Sequence, residues 1–194
     1  MGNRRMGARR LDALLRRGTT GRDTSYQAGA SISPAVVSHR MYNEGVFIIT
    51  EIVLDLGTSA ADIRSSAVDK PIGTHSSTDG AQLMQWENDI HGKWISGEVF
   101  CAEALTTVTA VSLAAGDAVE PIGATISARQ DIVAGVASNA VGGNGATAAG
   151  GMGTPLGDGH YVYLTPDDNG TNTYNAGQLV VRLMGVKAAD VSTD

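Results

Sequence analysis

Cysteine occurs once, at Cys101, so the chain cannot close an internal disulfide and must hold itself together by packing. That usage fits a reducing compartment, or an assembly built in one. Lysine is scarce, limited to Lys70, Lys93 and Lys187, and charged residues make up 18% of the chain against about 25% in an ordinary domain. Aromatics are 5%, too few to suggest a stacking platform for nucleic-acid bases. No run approaches the roughly 18 apolar residues that a membrane-crossing helix needs. The segment Leu11-Asp12-Ala13-Leu14-Leu15 is too short, and too interrupted by an acid, to serve as a signal-peptide core. The same shortfall argues against Arg4-Arg5 as a twin-arginine signal, and Met6 stands where a myristoylation site needs Ser or Thr. The expectation is a chain that is neither secreted nor membrane-spanning.

What the chain does have is a steep charge asymmetry. Residues 1–22 contain seven arginines (Arg4, Arg5, Arg9, Arg10, Arg16, Arg17 and Arg22) and one acid, Asp12, for a net charge of +6. The remaining 172 residues carry 7 basic and 19 acidic side chains, a net charge of −12. Within the leader, Ala8, Leu11, Leu14 and Leu15 fall at helical spacing and make a narrow apolar stripe. Asp12 and Arg16 are an i,i+4 pair, and Gly18 is a fitting stop. The spacing predicts a short amphipathic helix over about 6–17, marginal alone in water and ordered where it docks. Residues 18–45 are rich in breakers and show no sustained period. Residues 1–45 together read as a basic N-terminal arm.

Residues 46–194 read as one β-rich body, large enough at about 150 residues to bury an ordinary core. Val46, Ile48, Thr50, Ile52, Leu54 and Leu56 alternate with a mixed set containing Glu51 and Asp55, the pattern of a strand with one apolar face. Thr58 is placed to cap a helical turn through Ile63, and 65–80 is polar and turn-rich. Residues 81–87 fit strand slightly better than helix. Ile95, Val99 and Cys101 alternate with Ser96, Glu98 and Ala102. Further strands are expected at Thr106–Leu113, Ile122–Ile126, Ile132–Val136, Tyr161–Leu164 and Leu179–Val186, with a strong turn over 165–170. Short strands at regular spacing, without intervening helical patterns, predict an all-β sandwich or barrel. The Gly/Ala-rich stretch 137–159, with six glycines between Gly142 and Gly153, reads as a surface loop or as a segment laid against a neighbouring subunit.

Little in the sequence points to chemistry. The glycine clusters match neither the dinucleotide fingerprint nor a P-loop. His39, His75, His91 and His160 lack metal-ligand spacing, so each reads as a surface or hydrogen-bonding histidine, and no metal or cofactor is expected. There is no Gly-x-Ser-x-Gly elbow, although a Ser/His/Asp triad assembles in space and is not ruled out by sequence. Asp167-Asp168-Asn169-Gly170 lacks the EF-hand spacing and reads as a turn. Cys101, inside an alternating apolar run, reads as a buried thiol. What remains is the arm. Arginine forks bind phosphates, and they equally fit carboxylate-lined grooves on a protein. Arginine pairs beside a leucine stripe favour a docking peptide that folds on a protein partner over a nucleic-acid arm or a merely solvated tail.

The start Met-Gly-Asn-Arg-Arg-Met-Gly-Ala-Arg-Arg-Leu-Asp-Ala-Leu, followed by Thr-Glu-Ile-Val-Leu-Asp-Leu-Gly-Thr-Ser, resembles small virion proteins of marine T7-like tailed phages. The resemblance covers residues 1–17 and 46–66, about a fifth of the chain. It implies a non-enzymatic capsid decoration, or cement, protein on the surface of a phage head, made in the host cytoplasm. The implied partners are the major capsid protein and neighbouring copies of itself, with a trimer around a capsid three-fold as one arrangement. On this reading Arg4, Arg5, Arg9, Arg10, Leu11, Leu14, Leu15, Arg16 and Arg17 dock on the shell. The alternative is an internal virion or accessory protein that contacts nucleic acid.

Overall fold

The computed structural model describes residues 28–32, 37–56, 63–64, 67–74, 79–105, 110–137, 142–146, 156–167, 173–174 and 176–187. Among them the chain is all-β and sandwich-like, with almost no helix. In chain order the elements are β1 (Val37–Glu44), β2 (Phe47–Asp55), β3 (Ile63–Arg64), β4 (Gly73–Thr74), β5 (Met84–Gln85), α1 (Asn88–His91), β6 (Lys93–Glu103), β7 (Ala110–Gly116), β8 (Gln130–Ala137), β9 (Asn144–Ala146), β10 (Tyr161–Pro166), β11 (Thr173–Tyr174) and β12 (Gln178–Val186).

The strands form a five-stranded sheet ordered β1-β2-β12-β6-β9 and a four-stranded sheet ordered β5-β10-β7-β8. A small third sheet is ordered β11-β3-β4, and every pairing is antiparallel. The alternation in β2, β6 and β12 is what a sheet with one buried face requires. Ile52, Leu54, Val99, Cys101, Leu179, Val181 and Leu183 point inward. They meet Val111, Leu113, Ala115, Val133, Val136, Val162 and Leu164 from the four-stranded sheet in a single core. Tyr174 of β11 and Ile72, next to β4, also enter it.

The folded body begins earlier than the sequence suggests. β1 lies inside the stretch read as arm, and it pairs with β2 along its whole length, from Val37↔Leu54 to Glu44↔Phe47. Gly45 and Val46 make the two-residue turn between them. Gly45 alone of the two has a positive φ, +66°, as a type II′ hairpin requires. Further upstream, the Gly29 amide donates to the Gln82 carbonyl and the Ser31 amide to the Gly80 carbonyl, while Ile32 enters the core. The inward residues of β1 are Val37, His39 and Met41, and that mixed set conceals the strand from a hydropathy reading.

Three other local expectations change. Ile122–Ile126 is turn and bend rather than strand, entered by a single bridge between Pro121 and Gly80. Its apolar residue Ile126 caps the four-stranded sheet instead of joining it. Part of the glycine-rich stretch is ordered as β9, the edge strand beside β6, where Gly142 donates to Cys101 O and Cys101 donates to Gly143 O. Ile63, expected to end a helical turn, is in β3, and residues 57–62 lie outside the described residues.

Candidate functional site

The docking residues expected from sequence, Arg4, Arg5, Arg9, Arg10, Leu11, Leu14, Leu15, Arg16 and Arg17, all lie outside the described residues, as does the helix expected over 6–17. The structure instead brings together a set of side chains that the sequence reading did not assemble, on the outer face of the five-stranded sheet.

Register builds this face. Arg40 of β1 sits opposite Glu51 of β2, Glu51 opposite Arg182 of β12, and Arg182 opposite Glu98 of β6. All four residues occupy outward positions, so four adjacent strands carry charges of alternating sign in one row. The Arg40 Nη2 donates to Glu51 Oε1 at 2.9 Å, and the Arg182 Nε donates to Glu51 Oε2 at 3.0 Å. The Arg182 Nη1 donates to Glu98 Oε1 at 3.2 Å. Glu51 is thus clamped between two guanidiniums and its side chain is only 11% exposed. Arg182 is held above its ordinary pKa by its hydrogen bonds to Glu51 and Glu98. The guanidinium of Arg40 also lies 5.3 Å from the centre of the Tyr42 ring.

Two largely apolar rows flank the charges. On one side Ser38, Val53, Val180 and Phe100 are in register, and on the other Tyr42, Ile49, Met184 and Ser96. Phe100 is exposed, as are Val46 and Phe47 at the hairpin end, while Ile49, Val53, Val180 and Met184 are half-buried. A sheet face bearing this much apolar surface around a paired ionic row suits contact with another surface better than with bulk water.

The described histidines and the cysteine are engaged in structure. His39 is largely buried, and its Nε2 lies 2.9 Å from the Leu83 carbonyl, so this nitrogen carries the proton and donates. Burial pushes the His39 pKa below its ordinary value. His91 is fully buried, stacked on Trp86 at 4.8 Å between ring centroids, and its Nδ1 receives the Glu87 amide at 2.9 Å. His160 Nδ1 accepts from the Gly157 amide at 3.0 Å. His75 lies outside the described residues. Cys101 is buried as expected, and burial pushes its thiol pKa up, away from nucleophilic reactivity. The Ser112 hydroxyl donates to Asp167 at 3.3 Å and accepts from the Gly135 amide at 3.1 Å. This contact fills an irregularity where β7 pairs with β8. No group of three or more His, Cys, Asp or Glu side chains with metal-holding geometry occurs among the described residues.

No protein-family model, curated protein or solved structure matches this chain. Glu51 and Glu98 are visible in sequence as polar members of alternating runs, and so is Arg182 at an outward position of its strand. Their meeting is not visible, because Glu51 and Arg182 are 131 residues apart and only the strand order makes them neighbours.

Proposed function

We propose that the protein is a non-enzymatic structural component of a phage particle. In this reading it is a decoration or cement protein whose arginine-rich arm docks on the major capsid protein and whose sandwich braces neighbouring subunits. The observation that carries it is the charge partition: +6 in residues 1–22 against −12 in the rest. An acidic body is repelled by a polyphosphate, whereas arginine forks beside a leucine stripe match carboxylate-lined, partly apolar protein grooves. The way the chain enters the body supports the same reading. Gly29 and Ser31 pair with the strand-like run 80–82, and Ile32 is in the core, so a pull on the leader is delivered to a packed sandwich. A brace needs that mechanical continuity and needs no chemistry.

The test is co-sedimentation with emptied capsids. Deletion of residues 1–22 abolishes capsid binding while the purified body keeps its β-sheet circular dichroism. Undiminished binding by the truncated chain overturns the proposal. Affinity of the full chain for duplex DNA that falls steeply between two salt concentrations, and is lost with the same deletion, favours the nucleic-acid reading instead.

A further inference from the structure

We infer that the outer face of the five-stranded sheet is a two-fold self-association surface, and that its occupant is the same face of a second copy. The inference goes beyond the reading of the arm and stands whether or not the arm docks on a shell.

The order of charges along the row is self-complementary. Read from β1 to β6 the row runs Arg40, Glu51, Arg182, Glu98, which is plus, minus, plus, minus. A row of this kind changes sign when reversed. A two-fold axis lying in the interface, parallel to the strands and midway between β2 and β12, performs that reversal. It sets Arg40 over the second copy's Glu98 and Glu51 over the second copy's Arg182, with both contacts repeated by symmetry. Every charge in the row then faces its opposite, which a row of one sign, or one ordered plus, minus, minus, plus, does not achieve.

The flanking rows are compatible with the same operation. Val53 falls over the second copy's Val180 and Ile49 over its Met184, which are apolar on apolar at the centre. Ser38 falls over Phe100 and Tyr42 over Ser96, toward the edges. The paired ends of the ladder also have capacity turned outward: the Arg40 side chain is 59% exposed and that of Glu98 is 52% exposed. Each gives one atom to its neighbour in the row, Arg40 its Nη2 and Glu98 its Oε1.

Size and geometry are of the right order. Four strands about 4.8 Å apart and three same-face rows about 6.8 Å apart cover roughly 400 Å² before side-chain relief is counted. A standard interface buries about 800 Å² of accessible surface per partner. Aligned sheets pack about 10 Å apart and about 30° off parallel. At the ends of the ladder, about 7 Å from the axis, that angle moves facing residues about 4 Å apart sideways, within the reach of an arginine.

The test uses the full chain and two charge reversals, Arg40→Glu and Glu98→Arg, studied by sedimentation equilibrium up to about 100 µM, a range that detects a weak dimer. The wild type is dimeric. Each variant alone sets like charges over one another at both ends and dissociates at least about tenfold more readily. An equimolar mixture of the two variants restores both end contacts and recovers the dimer as a heterodimer. That recovery separates loss of the interface from loss of the fold, and circular dichroism of each variant checks the fold directly. A wild type that stays monomeric at the highest concentration overturns the inference. So do a dimer that both reversals leave intact, and variants that remain folded monomers when mixed.

Discussion

The two large sheets share one core yet treat their other faces differently. On the four-stranded sheet the chain covers itself. Ala114 and Tyr163 point away from the main core and pack with Ile126, delivered by the turn segment that follows β7. The Tyr163 hydroxyl donates to the Ala118 carbonyl and accepts the Glu120 amide at 2.9 Å, binding that cover to the sheet. Arg129 reaches both Asp69 and Asp131, and Lys70 reaches Thr125, so the cover is fastened at its far end as well. On the five-stranded sheet the outward face carries the ionic row and its half-buried apolar neighbours. Among the described residues, the same kind of antiparallel sheet is therefore finished within the chain on one side and presents a patterned surface on the other. On the inference drawn above, the patterned side is the one that meets a second copy.

Truncating one outward residue on each sheet tests this contrast most severely. Tyr163→Ala removes a fully buried ring and the hydroxyl that fastens the cover, and is expected to cost about 3–5 kcal/mol in urea unfolding. Met184→Ala, at an outward position of β12, is expected to cost no more than about 1 kcal/mol in dilute monomer, because its side chain is only half-buried there. Equal costs at the two sites would erase the distinction between a covered and a presented face.

A finer probe of the covered side is Tyr163→Phe. It keeps the ring and orphans the Glu120 amide and the Ala118 carbonyl, an expected loss of about 1–2 kcal/mol. On the other side, Glu51→Gln leaves Arg40 and Arg182 without the carboxylate they share. Ion pairs made by half-exposed arginines are worth about 0–1 kcal/mol each, so the expected loss is about 1 kcal/mol, and it shrinks in high salt, where the wild-type ladder is itself screened. The loss from Tyr163→Phe should be insensitive to salt, and that divergence distinguishes a fastening by neutral hydrogen bonds from one by charge.

The contrast was half legible beforehand. Strands buried on one face announce themselves through alternation, and β2, β6 and β12 fall where the pattern places them. β10, buried on both faces, reads as a dense apolar run, Tyr161-Val162-Tyr163-Leu164, which shows a strand but not what covers it, and β7, read as a Thr- and Val-rich strand of period two over Thr106–Leu113, likewise gives no sign of its cover. Ile122–Ile126 has strand-like composition because Ile126 is apolar for a different reason: it is part of the cover. β1 was obscured because His39 occupies an inward position. The ionic row was illegible for a topological reason, since no local rule places β12 between β2 and β6. The glycine-rich stretch hid β9 because backbone pairing at a sheet edge needs no side-chain pattern.

His39 supplies the smallest expected effect and joins the two sheets directly, since it projects from β1 and donates to the Leu83 carbonyl beside β5. Burial depresses its pKa below the ordinary value of 6.5, so in the fold it stays neutral at a pH where the unfolded chain already binds the proton. Stability from this site is complete above about pH 6.5 and is lost as pH falls through that value toward the lower folded pKa. Carboxylates contribute their own acid sensitivity at lower pH, so the measurement is a difference between chains. Urea midpoints at pH 7.5 and pH 5.5 are compared for the wild type and for His39→Gln, which can still donate to the carbonyl and does not titrate. The wild type is expected to lose up to about 1 kcal/mol more than the variant over that interval. Parallel losses in the two chains would show that this histidine is not the proton-sensitive link between the sheets.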